Sequence, residues 1–177
     1  SDLFGVQDDF LYDYAIPVLN QRAATGQPFF ATLLSISNHP PYVIPPFFHP
    51  KTSGPETQIV EYADWALRQF FEEARKQPWF DNTIFVLEGD HGKLVGDAEC
   101  ELPESYNHIP LMIYSSRIQP EEKTTFGGQV DIQPTILGLL NIDYLQNNFG
   151  VDLLKEERPC MFYTADNMVV GRNDTLL

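Results

Sequence analysis

The pattern of apolar and polar positions predicts strands and helices in the order of an α/β sheet. Phe29 to Ile36 and Thr83 to Glu88 are apolar runs of strand length, rich in β-branched and aromatic residues. From Glu56 to Lys76 the period between them becomes helical: Ile59, Ala63, Ala66, Leu67, Phe70 and Ala74 form one stripe, with Glu61, Asp64, Arg68, Glu72 and Arg75 largely off it. Ser53, or Thr52, is its candidate N-cap, and Pro78 lies just past its end. Strand, helix and strand make a βαβ unit, whose two strands are expected to run parallel with their ends on one edge.

The flanking elements follow from the same periods. Phe10, Leu11, Tyr14, Ala15, Val18 and Leu19 repeat at helical spacing; Asp8 or Asp9 can cap the start, and Pro17 leaves the second half open. Prolines through Pro50 keep the stretch after Ile36 irregular and extended. Trp79 and Phe80 read as core, and Asp81-Asn82 as the turn into the central strand. Leu111 to Tyr114 is a further strand. A helix follows Asp131, with Asp131 as N-cap, Pro134 in its first turn, and Ile136, Leu137 and Leu140 facing inward. A last strand is expected around Met161 to Tyr163.

Candidate chemistry gathers where the apolar runs end. Gly89-Asp90-His91-Gly92 follows the central strand directly, and in open α/β sheets ligands bind beyond the carboxyl ends of the strands. The two glycines allow a sharp turn that brings two consecutive side chains to one point. An ionised Asp and a neutral His are ligands for Zn²⁺ or Mn²⁺; the competing reading is a turn whose Asp and His merely face water. Ser37-Asn38-His39 ends the first apolar run in the same way, and the competing reading of His39 is a loop histidine hydrogen-bonded to backbone. His108 lies at the entry of the Leu111 strand. It reaches the same crevice if that strand runs antiparallel or its loop folds back, and is otherwise a buried, structurally hydrogen-bonded histidine.

Composition narrows the function classes. With 43% hydrophobic residues and no low-complexity tract, 177 residues are enough for one packed domain. A net charge of −14 and only 11 Lys and Arg leave no basic surface for phosphate backbones, which excludes a nucleic-acid role. No apolar run approaches the roughly 20 residues that span a bilayer. Cys100 and Cys160 match neither a CxxC metal motif nor a disulfide framework. The chain starts Ser1-Asp2 without Met, and the expectation is a piece of a longer protein. An exposed sheet edge in such a piece can pair with a second copy, so a homodimer of the fragment is an expected partner state.

Six motifs in order, Ser37-Asn38-His39-Pro40-Pro41-Tyr42, Tyr62-Ala63-Asp64, Trp79-Phe80-Asp81-Asn82-Thr83, Gly89-Asp90-His91-Gly92, His108-Ile109-Pro110 and Val130-Asp131-Ile132-Gln133-Pro134-Thr135, resemble the sulfatase and alkaline phosphatase superfamily. The likeness runs from about Phe4 to Thr164 and is nearest to the lipoteichoic acid synthase-like branch of phosphoglycerol transferases. The resemblance implies a three-layer α/β/α fold with a mixed, mostly parallel sheet, of which residues 1–177 would be a C-terminal portion of the catalytic domain. It implies a divalent metal, Mn²⁺ or Zn²⁺ (Ca²⁺ or Mg²⁺ in a sulfatase), held in part by Asp90 and His91. His39, with Asn38, would line the substrate pocket, and His108 would contact substrate or a second metal.

The resemblance also implies where the site departs from its pattern. Tyr42 stands where the synthases often have Phe, and Pro40 where some have another His. Cys100-Glu101-Leu102-Pro103-Glu104 and Cys160-Met161-Phe162-Tyr163-Thr164 lack the Cys-x-Pro-x-Arg pattern of formylglycine sites, so the nucleophile is expected upstream. The implied substrate is a small or lipid-linked phosphate or sulfate ester. Such enzymes work outside the cytoplasmic membrane, anchored through an N-terminal segment. A non-catalytic ectodomain that uses its Pro-rich loop and acidic surface for protein contacts is the reading from another class.

Overall fold

The structure, a computed structural model, describes residues 5–93, 106–165 and 168–173. Cys100 and the acidic loop around it lie outside the described residues. The chain divides into two compact units, residues 1–85 with 114–117, and residues 86–113 with 118–177.

In the first unit, helix α1 (Asp8–Ala24) packs against helix α2 (Pro55–Ala74). Ala15 and Leu19 of α1 meet Phe70 and Ala74 of α2, with Trp79 and Phe80 closing the same cluster and Leu33 packed against it. The aromatic core is continuous from Phe70 and Phe71 through Phe85, which lies 5.0 Å from Phe71 and 5.3 Å from Phe80 between ring centroids. Burial of each such side chain contributes roughly 1.5–3 kcal/mol. Trp79 keeps its indole N–H satisfied by donating to Asn20 Oδ1 at 2.6 Å.

The helical stripe of α2 is as the pattern predicts for Ile59, Ala66, Phe70 and Ala74, and it gains Tyr62, which is fully buried. Its cap differs. Gly54 is the N-cap and Pro55 fills the first turn, where its missing N–H costs nothing. Thr52 turns instead to Glu61, which accepts hydrogen bonds from the Lys51 and Thr52 amides, each at 2.8 Å. The Lys51 amide and the Thr52 hydroxyl, followed by the Thr52 amide, hold the Glu61 carboxyl below its ordinary range. Helix α1 runs through Pro17 and ends at a left-handed Gly26. Gln7, not Asp8 or Asp9, is its N-cap, and no side chain caps it.

Phe29 to Ile36 departs from expectation. It is extended, but no strand ladder forms on it among the described residues, so the predicted βαβ unit is absent there. The physical reason is visible in its burial: Leu33 and Ile36 turn inward, whereas Phe30 is 87% and Leu34 75% exposed. Two inward anchors fix the segment without a neighbouring strand.

In the second unit, strands β1 (Phe85–Glu88) and β2 (Leu111–Tyr114) form one two-stranded sheet, their first and last residues respectively counting with the other unit. Strands β3 (Met161–Ala165) and β4 (Met168–Arg172) form a second, antiparallel sheet. Strand β3 is the one the pattern predicts around Met161, and its partner β4 lies beyond that expectation. Helix α3 (Ile132–Leu139) follows a 3-10 turn at Gln129–Asp131 and is closed by Asn141 in the left-handed region. Pro134 and Thr135 are its buried positions, while Leu140 is half exposed instead of inward.

Asp131 stands at the cap position of α3, but its side chain does not cap that helix. Fully buried, it accepts from the Gly128 and Val151 amides, each at 2.8 Å, and from Arg158 through Nε at 2.9 Å and Nη2 at 2.5 Å. A buried carboxylate needs that many partners. The pairing raises the Arg158 pKa further above its ordinary value.

Candidate functional site

The chain bends at Asp90 and His91 directly after β1. The bend brings the two side chains to one point, as expected, with His91 Nε2 3.8 Å from Asp90 Oδ2. It does so without the glycines: among the described residues only Gly5 and Gly26 have left-handed glycine backbone. Asp90 Oδ1 accepts the His91 amide at 3.0 Å, which leaves Oδ2 as the oxygen facing the ring.

The imidazole has a defined tautomer. His91 Nδ1 lies 2.7 Å from the Gly92 carbonyl oxygen. A carbonyl only accepts, so Nδ1 carries a proton, and in the neutral ring the lone pair is on Nε2, the nitrogen on the side of Asp90. Tyr106 stacks on the imidazole: its ring lies 5.2 Å from that of His91, with the planes 17° apart. The Gly92 amide donates to the Tyr106 carbonyl at 2.7 Å. A Cβ placed on Gly89 would lie 3.6 Å from Ile109 Cβ. Tyr106 to Ile109 therefore folds back along the bend, and His108 on that return segment is exposed. This overturns the buried alternative for His108.

Gln129 completes the bend's support. Its Nε2 donates to the Asp90 carbonyl at 2.9 Å and the Gly89 carbonyl at 3.3 Å. Nothing in the local pattern marks Gln129 as a partner of a turn 39 residues earlier, although it directly precedes the Val130-Asp131 motif.

Donor chemistry fits a divalent cation. Two donors each about 2.0–2.2 Å from one ion stand roughly 3.3–3.6 Å apart in a tetrahedral site, so the Asp90–His91 separation of 3.8 Å needs only a small closure of the two exposed side chains. The side chains are 83% and 55% exposed respectively, so both donors are accessible. Among the described residues no third His, Cys, Asp or Glu joins them to form a group of three.

His39 belongs to the first unit, in the turn after Ile36. Asp8, 2% exposed, anchors that turn: its Oδ1 accepts from the Ile36 amide at 3.1 Å, the Ser37 amide at 3.0 Å and Ser37 Oγ at 2.8 Å. Ser37 Oγ in turn accepts the Asp8 amide at 3.0 Å. The His39 amide closes the turn on the Ile36 carbonyl at 3.0 Å. His39 Nδ1 lies 2.7 Å from the Pro40 carbonyl oxygen, so this ring too is protonated at Nδ1. Asn38 and His39 are both exposed. The backbone-bonded reading of His39 is thus met at Nδ1.

Among the described residues no helix is long and apolar enough to cross a membrane. A family model described as Sulfatase matches residues 2–142. Lipoteichoic acid synthase 1 of Bacillus subtilis is 29% identical over 190 residues, covering 96% of this chain and 28% of that protein. The lipoteichoic acid synthase of Staphylococcus saprophyticus is 30% identical over 160 residues, covering 76% of this chain and 24% of the relative. An alkaline phosphatase superfamily protein from Vibrio parahaemolyticus matches in structure with a TM-score of 0.86 at 29% identity, over 97% of this chain and 43% of that one. The lipoteichoic acid synthase LtaP from Listeria monocytogenes matches with a TM-score of 0.75 at 26% identity, over 98% of this chain and 54% of the other. The chain spans about a quarter of the length of these curated relatives. With the Sulfatase model matched over residues 2–142, most of this chain, and with these likenesses in sequence and structure, the chain belongs to the sulfatase family and forms a partial α/β domain of the alkaline phosphatase superfamily.

Proposed function

We propose that this chain is part of a metal-dependent phosphotransferase or phosphodiesterase that acts on a phosphoglycerol-type head group outside the cytoplasmic membrane. The observation that carries the reading is the Asp90–His91 pair, whose Nε2 and Oδ2 face each other at 3.8 Å while Nδ1 is tied to backbone. Asp90 and His91 would hold a divalent cation, Mn²⁺ or Zn²⁺, which would supply charge stabilisation for the transferring group and activation of a hydroxyl nucleophile. The reading assigns that nucleophile to sequence outside these residues, so residues 1–177 alone would not turn over substrate. His39, its Nδ1 tied to the Pro40 carbonyl, orients the ester and protonates the leaving oxygen. Asn38 contributes a neutral amide to substrate oxygens, and exposed His108 a further substrate contact. Likeness to several lipoteichoic acid synthases favours the phosphoglycerol substrate and a membrane-anchored parent protein. The matched Sulfatase model favours a second reading, hydrolysis of a sulfuric ester with Ca²⁺ or Mg²⁺.

The test is calorimetric titration of Mn²⁺ and Zn²⁺ into the full-length protein, wild type beside Asp90→Asn and His91→Ala, with phosphodiester and sulfate ester hydrolysis assayed on the same samples. Loss of binding and turnover together in both variants is the expected result, and the preferred ester chooses between the two enzymes. Binding that is absent or unaltered in folded protein would leave a non-catalytic ectodomain as the reading.

A further inference from the structure

We infer that Tyr106 and Gln129 are positioning residues for the Asp90–His91 pair: Tyr106 fixes the plane and tautomer of the His91 ring, and Gln129 fixes the backbone that carries Asp90. The inference rests on the metal site proposed above, but its first half concerns the His91 ring itself and holds or fails without a metal.

The need for such residues follows from exposure. Side chains that are 83% and 55% exposed at a bend lose rotamer freedom when they converge on an ion, and whatever restricts them beforehand reduces that cost. Tyr106 restricts His91 twice. Its ring lies against the imidazole at 5.2 Å and 17°, and its carbonyl accepts the amide of Gly92, the residue whose own carbonyl receives His91 Nδ1–H. One residue therefore holds both the ring and the peptide that sets the tautomer. Histidine ligands are commonly fixed by a partner on the nitrogen away from the metal, and here the partner is itself held.

Gln129 acts from the other end of the bend. Its amide donates to the carbonyls of Gly89 and Asp90, at 3.3 and 2.9 Å, and so fixes the peptide from which the carboxylate projects. A lysine or arginine could make similar bonds, but would place a cation beside Asp90 and compete for its charge. The neutral amide supports the backbone and leaves the carboxylate to a ligand.

The test uses full-length protein labelled with ¹⁵N at histidine. In metal-free wild type, two-bond ¹H–¹⁵N spectra are expected to show His91 as the Nδ1–H tautomer. Tyr106→Phe keeps the stack and should keep the tautomer, with Mn²⁺ and Zn²⁺ affinity within about twofold of wild type. Tyr106→Ala and Tyr106→Leu, the latter preserving apolar bulk, should give a mixture of tautomers and about 10- to 100-fold weaker metal binding. Gln129→Leu should weaken binding by about tenfold with the His91 tautomer unchanged. Wild-type tautomer and affinity in both Tyr106→Ala and Tyr106→Leu would overturn the role of Tyr106, and unchanged affinity in Gln129→Leu that of Gln129. His91→Ala separates the two levels: if it leaves metal binding intact, the metal site is wrong and Gln129's role falls with it, while the tautomer in metal-free protein still decides Tyr106.

Discussion

Asp8 and Asp90 both serve a bend of the chain, and they are used in opposite ways. Asp8 is 2% exposed and uses one oxygen on two amides and a hydroxyl that fix the turn before His39. The Asp90 side chain is 83% exposed, and the turn's carbonyls are held instead by the neutral amide of Gln129. A carboxylate that shapes its own loop is buried and saturated, and has little left for a ligand. One whose loop is shaped by another residue keeps an oxygen for chemistry. Asp131, buried and bonded to Arg158 and two amides, belongs with Asp8.

The contrast predicts a graded set of stability losses. Asp8→Ala should be the most costly, roughly 2–4 kcal/mol, because it strands the Ser37 hydroxyl and two amides away from water; denaturant unfolding measures it. Tyr62→Phe should cost about 1 kcal/mol near pH 8, since it removes the hydrogen bond from a fully buried hydroxyl to Asp9 Oδ1 at 2.7 Å. Burial, and then the Asp9 carboxylate, push the Tyr62 pKa above its ordinary value. The unfolded chain releases this proton near pH 10 while the folded chain keeps it. Its contribution is therefore complete below about pH 10 and declines as pH rises further, so wild type should lose stability more steeply than Tyr62→Phe in that alkaline range. Asp90→Asn should change stability by less than about 0.5 kcal/mol, the range of surface substitutions. If it costs as much as Asp8→Ala, the division between shaping and ligand carboxylates collapses.

Local signals made much of this legible in the sequence. The α2 stripe at Ile59, Ala66, Phe70 and Ala74 and the core pair Trp79 and Phe80 are buried as their pattern predicts, because each records a single face. Tyr62 stands outside the predicted apolar stripe because its hydroxyl reads as surface, whereas Asp9 satisfies it inside the fold. Asp8 looked like a helix cap because its partner Ser37 is 29 residues away. The apolar run Phe29 to Ile36 predicted a strand, but apolar character specifies burial and not a ladder partner, and Phe30 and Leu34 find neither here. At the site, the adjacency of Asp90 and His91 is written in the chain. The tautomer of His91 and the support from Tyr106 and Gln129 depend on segments that meet only in three dimensions.

For protein engineering, the bond from Gln129 to the carbonyls of Gly89 and Asp90 sets the size of what must be moved. Grafting Gly89-Asp90-His91-Gly92 onto another scaffold would transfer two donor atoms without the groups that aim them. The transferable unit is six positions drawn from three separate stretches, and a recipient fold has to bring an aromatic ring and a carboxamide to opposite ends of the same four-residue bend.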